Sequence, residues 1–167
     1  KIEKAENEIK IIEGDGNIGI YAGKTQALFS RDKGLVSLIL DEKELIAERP
    51  QPVFWRASTD NDRGYSHPYE CALWFGASVF QKLQHAELKT DENKKWAEVS
   101  YVHELPVVPK TEVNVIYRVE NTGEVKVTLK YNGKNGLPEL PLFGMRFKFN
   151  KEYDKFKYFG RGAEENY

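Results

Sequence analysis

The chain is poor in sulfur chemistry and in long apolar runs, and it carries almost no excess charge. Its single cysteine, Cys71, excludes an internal disulfide and any cysteine-based zinc site. That usage suits a reducing compartment and is also compatible with export. No apolar run approaches the roughly 18 residues that span a bilayer. The 25 basic and 26 acidic residues leave a net charge of −1. Nucleic acid and anionic membranes select cationic surfaces, so neither is expected as a partner. The first residues, KIEKAENEIK, are too charged to be a secretion leader. A leader could have been removed or could sit on a longer parent chain. Internal repeats, low-complexity tracts and an obvious domain linker are also missing.

What remains is ordinary globular material. The chain has 167 residues, 40% hydrophobic and 31% charged, enough for one domain with a sizeable core. Residues 1–8 read as a frayed start or linker, and 9–167 as the domain. Aromatic residues make up 13%. Such rings pack in sheets and also line sugar sites, and core packing is the simpler reading here.

Short runs of strand-like alternation dominate. GNIGIYAG places Ile18 and Ile20 on one face, and TQALFS, LVSLIL and LIAE follow, with turns at Asp32-Lys33-Gly34 and Asp41-Glu42-Lys43-Glu44. Turn signals about every ten residues predict antiparallel sheet. Ala86–Thr90 and WAEVSYVHEL (residues 96–105) are further strands. In EVNVIYRVENTGEVKVTLKYN, Val113, Val115, Tyr117 and Val119 alternate with polar residues, and Val125, Val127 and Leu129 alternate back. Gly123 in the intervening Asn121-Thr122-Gly123 turn suits a left-handed position. FGMRFKF and KFKYFG are the last predicted strands.

Between the strand-rich stretches, residues 50–66 read as irregular, with Pro68 a candidate helix start. Leu73, Trp74, Ala77, Phe80 and Leu83 recur at three- and four-residue steps. That spacing predicts one short helix over residues 69–83, although Gly76 weakens it. The pattern is therefore all-β, an antiparallel β-sandwich with one short helix. Such a fold selects no particular function.

The chemistry concentrates in FWRASTDNDRG, residues 54–64. Asp60 and Asp62 are not expected to form a catalytic carboxyl pair. Two catalytic carboxyls must converge to about 5 to 5.5 Å, whereas these are near neighbours free to diverge in a turn, and nothing in the sequence separates their acidities. Calcium loops alternate their ligands and end in a distant glutamate. Here Asp60-Asn61-Asp62 are contiguous and no such glutamate follows, so no metal is expected, even with His67 nearby. The simplest reading is a turn whose acids accept backbone N–H groups, with Arg56 and Arg63 neutralising them. Trp74 and Phe75 read as core, Trp96 as a strand residue, and His85 and His103 as ordinary surface or strand residues.

Three segments, in order, are similar to one family. FWRASTDNDRG, LPLFGMRFKF and YFGRGAEENY resemble FWRAPTDNDRG, LPRFGMRF and YGRGPxENY of glycoside hydrolase family 2 β-galactosidases. The resemblance runs from about residue 9 to the end. Ser58 and Ala163 replace prolines that would fix their turns. Leu142 replaces an arginine, which removes a forked donor.

The resemblance implies the N-terminal part of the C-terminal domain of such an enzyme, a galactose-mutarotase-like supersandwich. That domain would continue beyond the last residues here, so the chain is expected to be truncated, with unpaired sheet edges. The catalytic glutamates would lie on a separate (β/α)₈ barrel. Such a barrel takes about 250 residues, so none of the catalytic residues is expected in this chain. The segment beginning at the motif glycine, Gly64, Tyr65, Ser66 and His67, is implied as a substrate-binding loop at the pocket rim, with Gly64 as hinge. Arg56, Asp60, Asn61, Asp62, Arg63, Arg161, Glu165 and Asn166 are implied as structural motif residues, the last three either a hydrogen-bond network or a sugar contact.

The expected function is a non-catalytic piece of an enzyme that hydrolyses terminal β-D-galactose, as in lactose. The alternatives are a stand-alone carbohydrate-binding module and a structural or assembly domain. No cofactor is expected here, with Mg and Na possible elsewhere in the full enzyme. The expected partners are the remainder of the enzyme (barrel and rest of the sandwich), a β-galactoside and further copies of the full enzyme. The expected compartment is the cytoplasm, with an exported or periplasmic location as the alternative.

Overall fold

A computed structural model describes residues 8–155 and 157. Strands β1 (Lys10–Glu13), β2 (Asn17–Ala22), β3 (Thr25–Ser30), β4 (Gly34–Leu40) and β5 (Lys43–Glu44) form an antiparallel meander in that order. β6 (Ile46–Val53) leaves it to pair with β11 (Gly144–Phe149). Strands β7 (Lys82–Thr90), β8 (Trp96–Leu105), β9 (Thr111–Glu120) and β10 (Val125–Lys130) make a second antiparallel sheet, ordered β10-β9-β8-β7. The β-sandwich expected from alternation is the fold.

The core explains the pairing. Residues Ala97, Val99, Tyr101, Val113, Val115, Tyr117 and Val119 are all buried, and the residues between them along β8 and β9 are more exposed. A period of two places one side-chain set inward on every strand. The first sheet answers with Ile18, Ile20, Ala22, Ala27, Phe29 and Leu35, which share one cluster with Ala97, Val99, Tyr101, Val115, Tyr117 and Val119. Phe29 and Tyr117 approach to 5.5 Å between ring centroids. The buried Tyr101 hydroxyl donates to the Ser30 carbonyl at 2.9 Å, joining the two sheets. Burial pushes the Tyr101 phenol well above its usual range, so it stays a donor. Gly123 has φ +85°, and a Cβ there would meet the Thr25 hydroxyl at 2.7 Å. Its turn therefore needs glycine for both conformation and space.

The helical part departs from the sequence expectation. Three short helices replace the single one: α1 (Asp60–Gly64), α2 (His67–Glu70) and α3 (Leu73–Phe80). The stretch read as irregular begins inside β6, which runs to Val53. Pro50 and Pro52 lie two residues apart, so their missing N–H groups fall on one side of a strand that, among the described residues, pairs only with β11. Leu83, expected at the helix end, belongs to β7. The expected KFKYFG strand and the frayed start fall largely or wholly outside the described residues.

The helices cover one end of the second sheet. Phe54, Cys71, Trp74, Ala77, Leu105 and Val113 form a second buried cluster. The Trp74 indole N–H donates to the Pro138 carbonyl at 3.2 Å. The Phe54 N–H donates to the Ser78 hydroxyl at 2.9 Å, which in turn donates to the Trp74 carbonyl at 2.8 Å.

His103 points inward from β8, only 9% exposed, and its Nδ1 has no partner among the described residues. Burial, with a smaller contribution from the Arg49 charge, lowers its pKa from 6.5 to about 4. The unfolded chain therefore takes up the proton first as pH falls, and stability drops between pH 6.5 and about 4. The loss from this group is on the order of 3 kcal/mol, from 1.36 kcal/mol per pKa unit. Urea unfolding across that window should show the slope, and His103→Leu should flatten it.

Candidate functional site

Residues 54–67 build the site from a helix start. Thr59 has extended backbone (φ −80°, ψ 171°) and caps α1. Its hydroxyl accepts from the Asp62 N–H at 3.3 Å, and its own N–H donates to the Asp62 carboxylate at 2.8 Å. This is a reciprocal capping box, and it satisfies two backbone donors at the helix start. The expected turn is thus the first turn of a helix. An acid there also sits well in the positive end of the backbone dipoles.

Asp62 is only 4% exposed. The Arg56 guanidinium grips it with two hydrogen bonds, Nη1 to Oδ2 at 2.5 Å and Nη2 to Oδ1 at 3.0 Å. The same guanidinium donates through Nε to the Pro141 carbonyl at 3.2 Å and through Nη1 to the Ala57 carbonyl at 3.2 Å. Arg56 therefore ties the segment before α1 to the approach to β11. Phe143 stacks on Phe54 nearby, with 6.3 Å between centroids. Two segments far apart in sequence, 54–64 and 140–149, meet here.

The chemistry of the acids follows. Hydrogen bonds from Arg56 first, then the Thr59 N–H, hold the Asp62 carboxyl well below the usual carboxylate range. It is a permanent acceptor and has no proton to give. Asp60, by contrast, is fully exposed, with the Arg63 guanidinium 3.7 Å away, a surface pair that contributes little. Asn61 is exposed as well. The acids diverge as anticipated, one inward and one outward. Among the described residues no three His, Cys, Asp or Glu side chains gather into a possible metal site.

Beyond Asp62 the chain loops outward. Gly64, Tyr65 and Ser66 are exposed, with Tyr65 at 59%. His67 is 7% exposed at the start of α2, its Nδ1 3.9 Å from the Asp62 carboxylate and its ring edge-on to Tyr65. So three of the four expected rim residues face solvent, and the fourth is a buried foot of the loop. The left-handed residue is Ser66, at φ 64°. Gly64 lies outside that region and has open space where a Cβ would go, so its glycine character is not demanded by this conformation. Arg161, Glu165 and Asn166 lie outside the described residues.

With this geometry in place, similarity to known proteins becomes informative. The family model for the beta galactosidase small chain matches residues 21–167. The chain belongs to the beta-galactosidase small-chain family. A beta-galactosidase of Clostridium acetobutylicum is 42% identical over 164 residues, covering 98% of this chain and 18% of the relative. One from Streptococcus thermophilus is 39% identical, covering 95% of this chain and 15% of the relative. A beta-galactosidase small subunit of Latilactobacillus sakei is 32% identical, covering 93% of this chain and 55% of the relative. This chain thus spans under a fifth of the first two relatives and about half of the third.

Sequence inspection passed over the Thr59–Asp62 box, although Thr-x-x-Asp is its signature. It also gave no sign of Pro141, whose contribution is a backbone carbonyl, or of Ser78, which bridges Phe54 to α3. The Arg56–Asp62 grip predicts an ordering of variants. Asp62→Asn should lower the thermal midpoint clearly, while Asp60→Asn should leave it unchanged within error. Arg56→Lys should resemble Asp62→Asn, because an ammonium cannot form the paired contact. Differential scanning calorimetry of the three variants checks this.

Proposed function

We propose that this chain is a non-catalytic unit of a retaining β-galactosidase that hydrolyses terminal non-reducing β-D-galactose, lactose included. The observation that carries the reading is the loop from Gly64 to Ser66. It projects from a helix locked by Arg56 and Asp62, with Tyr65 exposed at its tip and His67 buried at its foot. Membership in the beta-galactosidase small-chain family supports the substrate class. The reaction needs one carboxyl as nucleophile and one as acid/base. Asp62 is consumed by its clamp and Asp60 stands alone, so both groups would come from another part of the enzyme.

In this reading the loop forms one wall of the pocket. A rigid base lets a short loop approach the sugar and exclude water without costly ordering. The unit's partner is the remainder of the β-galactosidase, and further copies of the full enzyme would assemble around it. Mg and Na, if used, would be held elsewhere in that enzyme. We place it in the cytoplasm, and among the described residues no helix is long and apolar enough to cross a membrane. A free carbohydrate-binding module would instead bind galactose unaided, and a purely structural unit would leave the loop away from substrate.

Two measurements test the proposal. The purified chain should not turn over a chromogenic β-galactoside, and measurable turnover overturns the non-catalytic assignment. In the full-length enzyme, Tyr65→Ala should lower kcat/KM by about tenfold, on the scale of a lost transition-state contact worth about 1.4 kcal/mol. Gly64→Ala meets no obstacle in the present conformation, so its thermal midpoint should hold. A change in its kcat or KM would then report a second loop conformation used during turnover. Unchanged kinetics in both variants would favour the structural reading.

A further inference from the structure

Helix α3, LWFGASVF, has no charged residue. Trp74 and Ala77 face inward, and Ser78 is occupied by its two hydrogen bonds. The opposite face is apolar too: Phe75, Val79 and Phe80 are 55%, 53% and 68% exposed. A helix that is apolar all round belongs in an interior. Trp55 lies edge-on to Phe75, with centroids 6.2 Å apart. Between these rings and β6 is a cleft of about 380 Å³, floored by Pro52 and Val53 and edged by Gln51 and Arg146. Gln51 and Arg146 are direct cross-strand partners on β6 and β11. Among the described residues the Arg146 side chain has no ion pair or hydrogen bond, and no carboxylate lines the cleft.

We propose that this face of α3, with the Trp55–Arg146 cleft, is where the unit holds the rest of the β-galactosidase polypeptide. The occupant is a segment of that polypeptide carrying an apolar side chain beside a carboxylate, the apolar group against Trp55 and Phe75 and the carboxylate on Arg146. The inference rests on the proposed function for the identity of its partner. Charge complementarity selects the acid, because among the described residues the Arg146 guanidinium is the one charged group lining the cleft. Position selects the surface, because α3 follows the α1–α2 loop within a few residues and would face the same neighbour. Aromatic and arginine side chains are also the usual anchors of protein interfaces. The apolar exposure on the outer face of the first sheet, Ile12, Tyr21 and Leu28, is interrupted by Lys10 and Gln26 in the same rows.

Hydroxyl-radical footprinting of the full-length enzyme tests this, with each residue referred to its own rate in urea. Trp55 and Phe75 should be modified about tenfold more slowly than Tyr21, as for anchors in a desolvated interface centre. Phe75→Glu with Val79→Glu should release this unit as an early, separate unfolding step, whereas Leu28→Glu should not. Arg146→Glu should weaken the attachment, and a lysine replacing the contacted acid should restore it. Labelling of Trp55 and Phe75 at the Tyr21 rate overturns the proposal. So does protection that appears only with added galactose or lactose, which would make the cleft a sugar site, or only at high enzyme concentration, which would make it a contact between copies. These readouts need no turnover. A silent Tyr65→Ala would remove the rim-loop reading and leave the attachment surface standing.

Discussion

One carboxylate organises the helical end of this molecule. Asp62 is almost fully buried, and a buried charge is tolerated only when it is paired and hydrogen-bonded. Arg56 supplies two bonds and the Thr59 N–H a third. The cation in turn reaches Pro141, so the electrostatic demand of one side chain draws together the strand exit after β6, the start of α1 and the approach to β11. The loop that follows inherits a fixed base. Without that clamp, a helix of five residues would have no independent reason to exist, since nucleation costs more than so few bonds return.

The rest of the fold is a platform for this corner. Two antiparallel sheets share a core, with Phe29 against Tyr117 and the Tyr101 hydroxyl bridging them. Close packing of that kind transmits little play to its edges. The helical segment covers one end of the second sheet, with Trp74 and Ala77 inward. It leaves an apolar outer face that a free-standing domain would ordinarily cover. The proposed rim loop and the proposed attachment face lie within a few residues of each other on this helical segment.

Several features could be read from residues alone, and others could not. The alternation in residues 96–130 located β8, β9 and β10 closely, because burying one sheet face imposes a period of two. The turn at Gly123 was visible for the same local reason, and Arg56 was recognisable as the partner of an acid. The helices were not resolved. A five-residue helix has no apolar stripe, and the spacing of Trp74, Ala77 and Phe80 could not say where α3 stopped. The second half of β6 was obscured by Pro50 and Pro52, which are admissible because, among the described residues, β6 pairs on one side only, with β11. His103 looked unremarkable: it shares the Val99 and Tyr101 face of β8, but alternation does not say how completely the opposing sheet covers that position.

The amino-acid order by itself determined the strand periodicity, the exclusion of an internal disulfide by a single cysteine, and the concentration of polar groups between Phe54 and Gly64. Those depend on neighbours a few residues away. Tertiary structure alone decided that Asp62 turns inward while Asp60 turns out. It also decided that Ser66 rather than Gly64 takes the left-handed conformation, that His67 is buried, and that Gln51 and Arg146 stand side by side next to Trp55. Each of those outcomes is set by contacts between distant segments, whose desolvation and pairing energies no local pattern encodes.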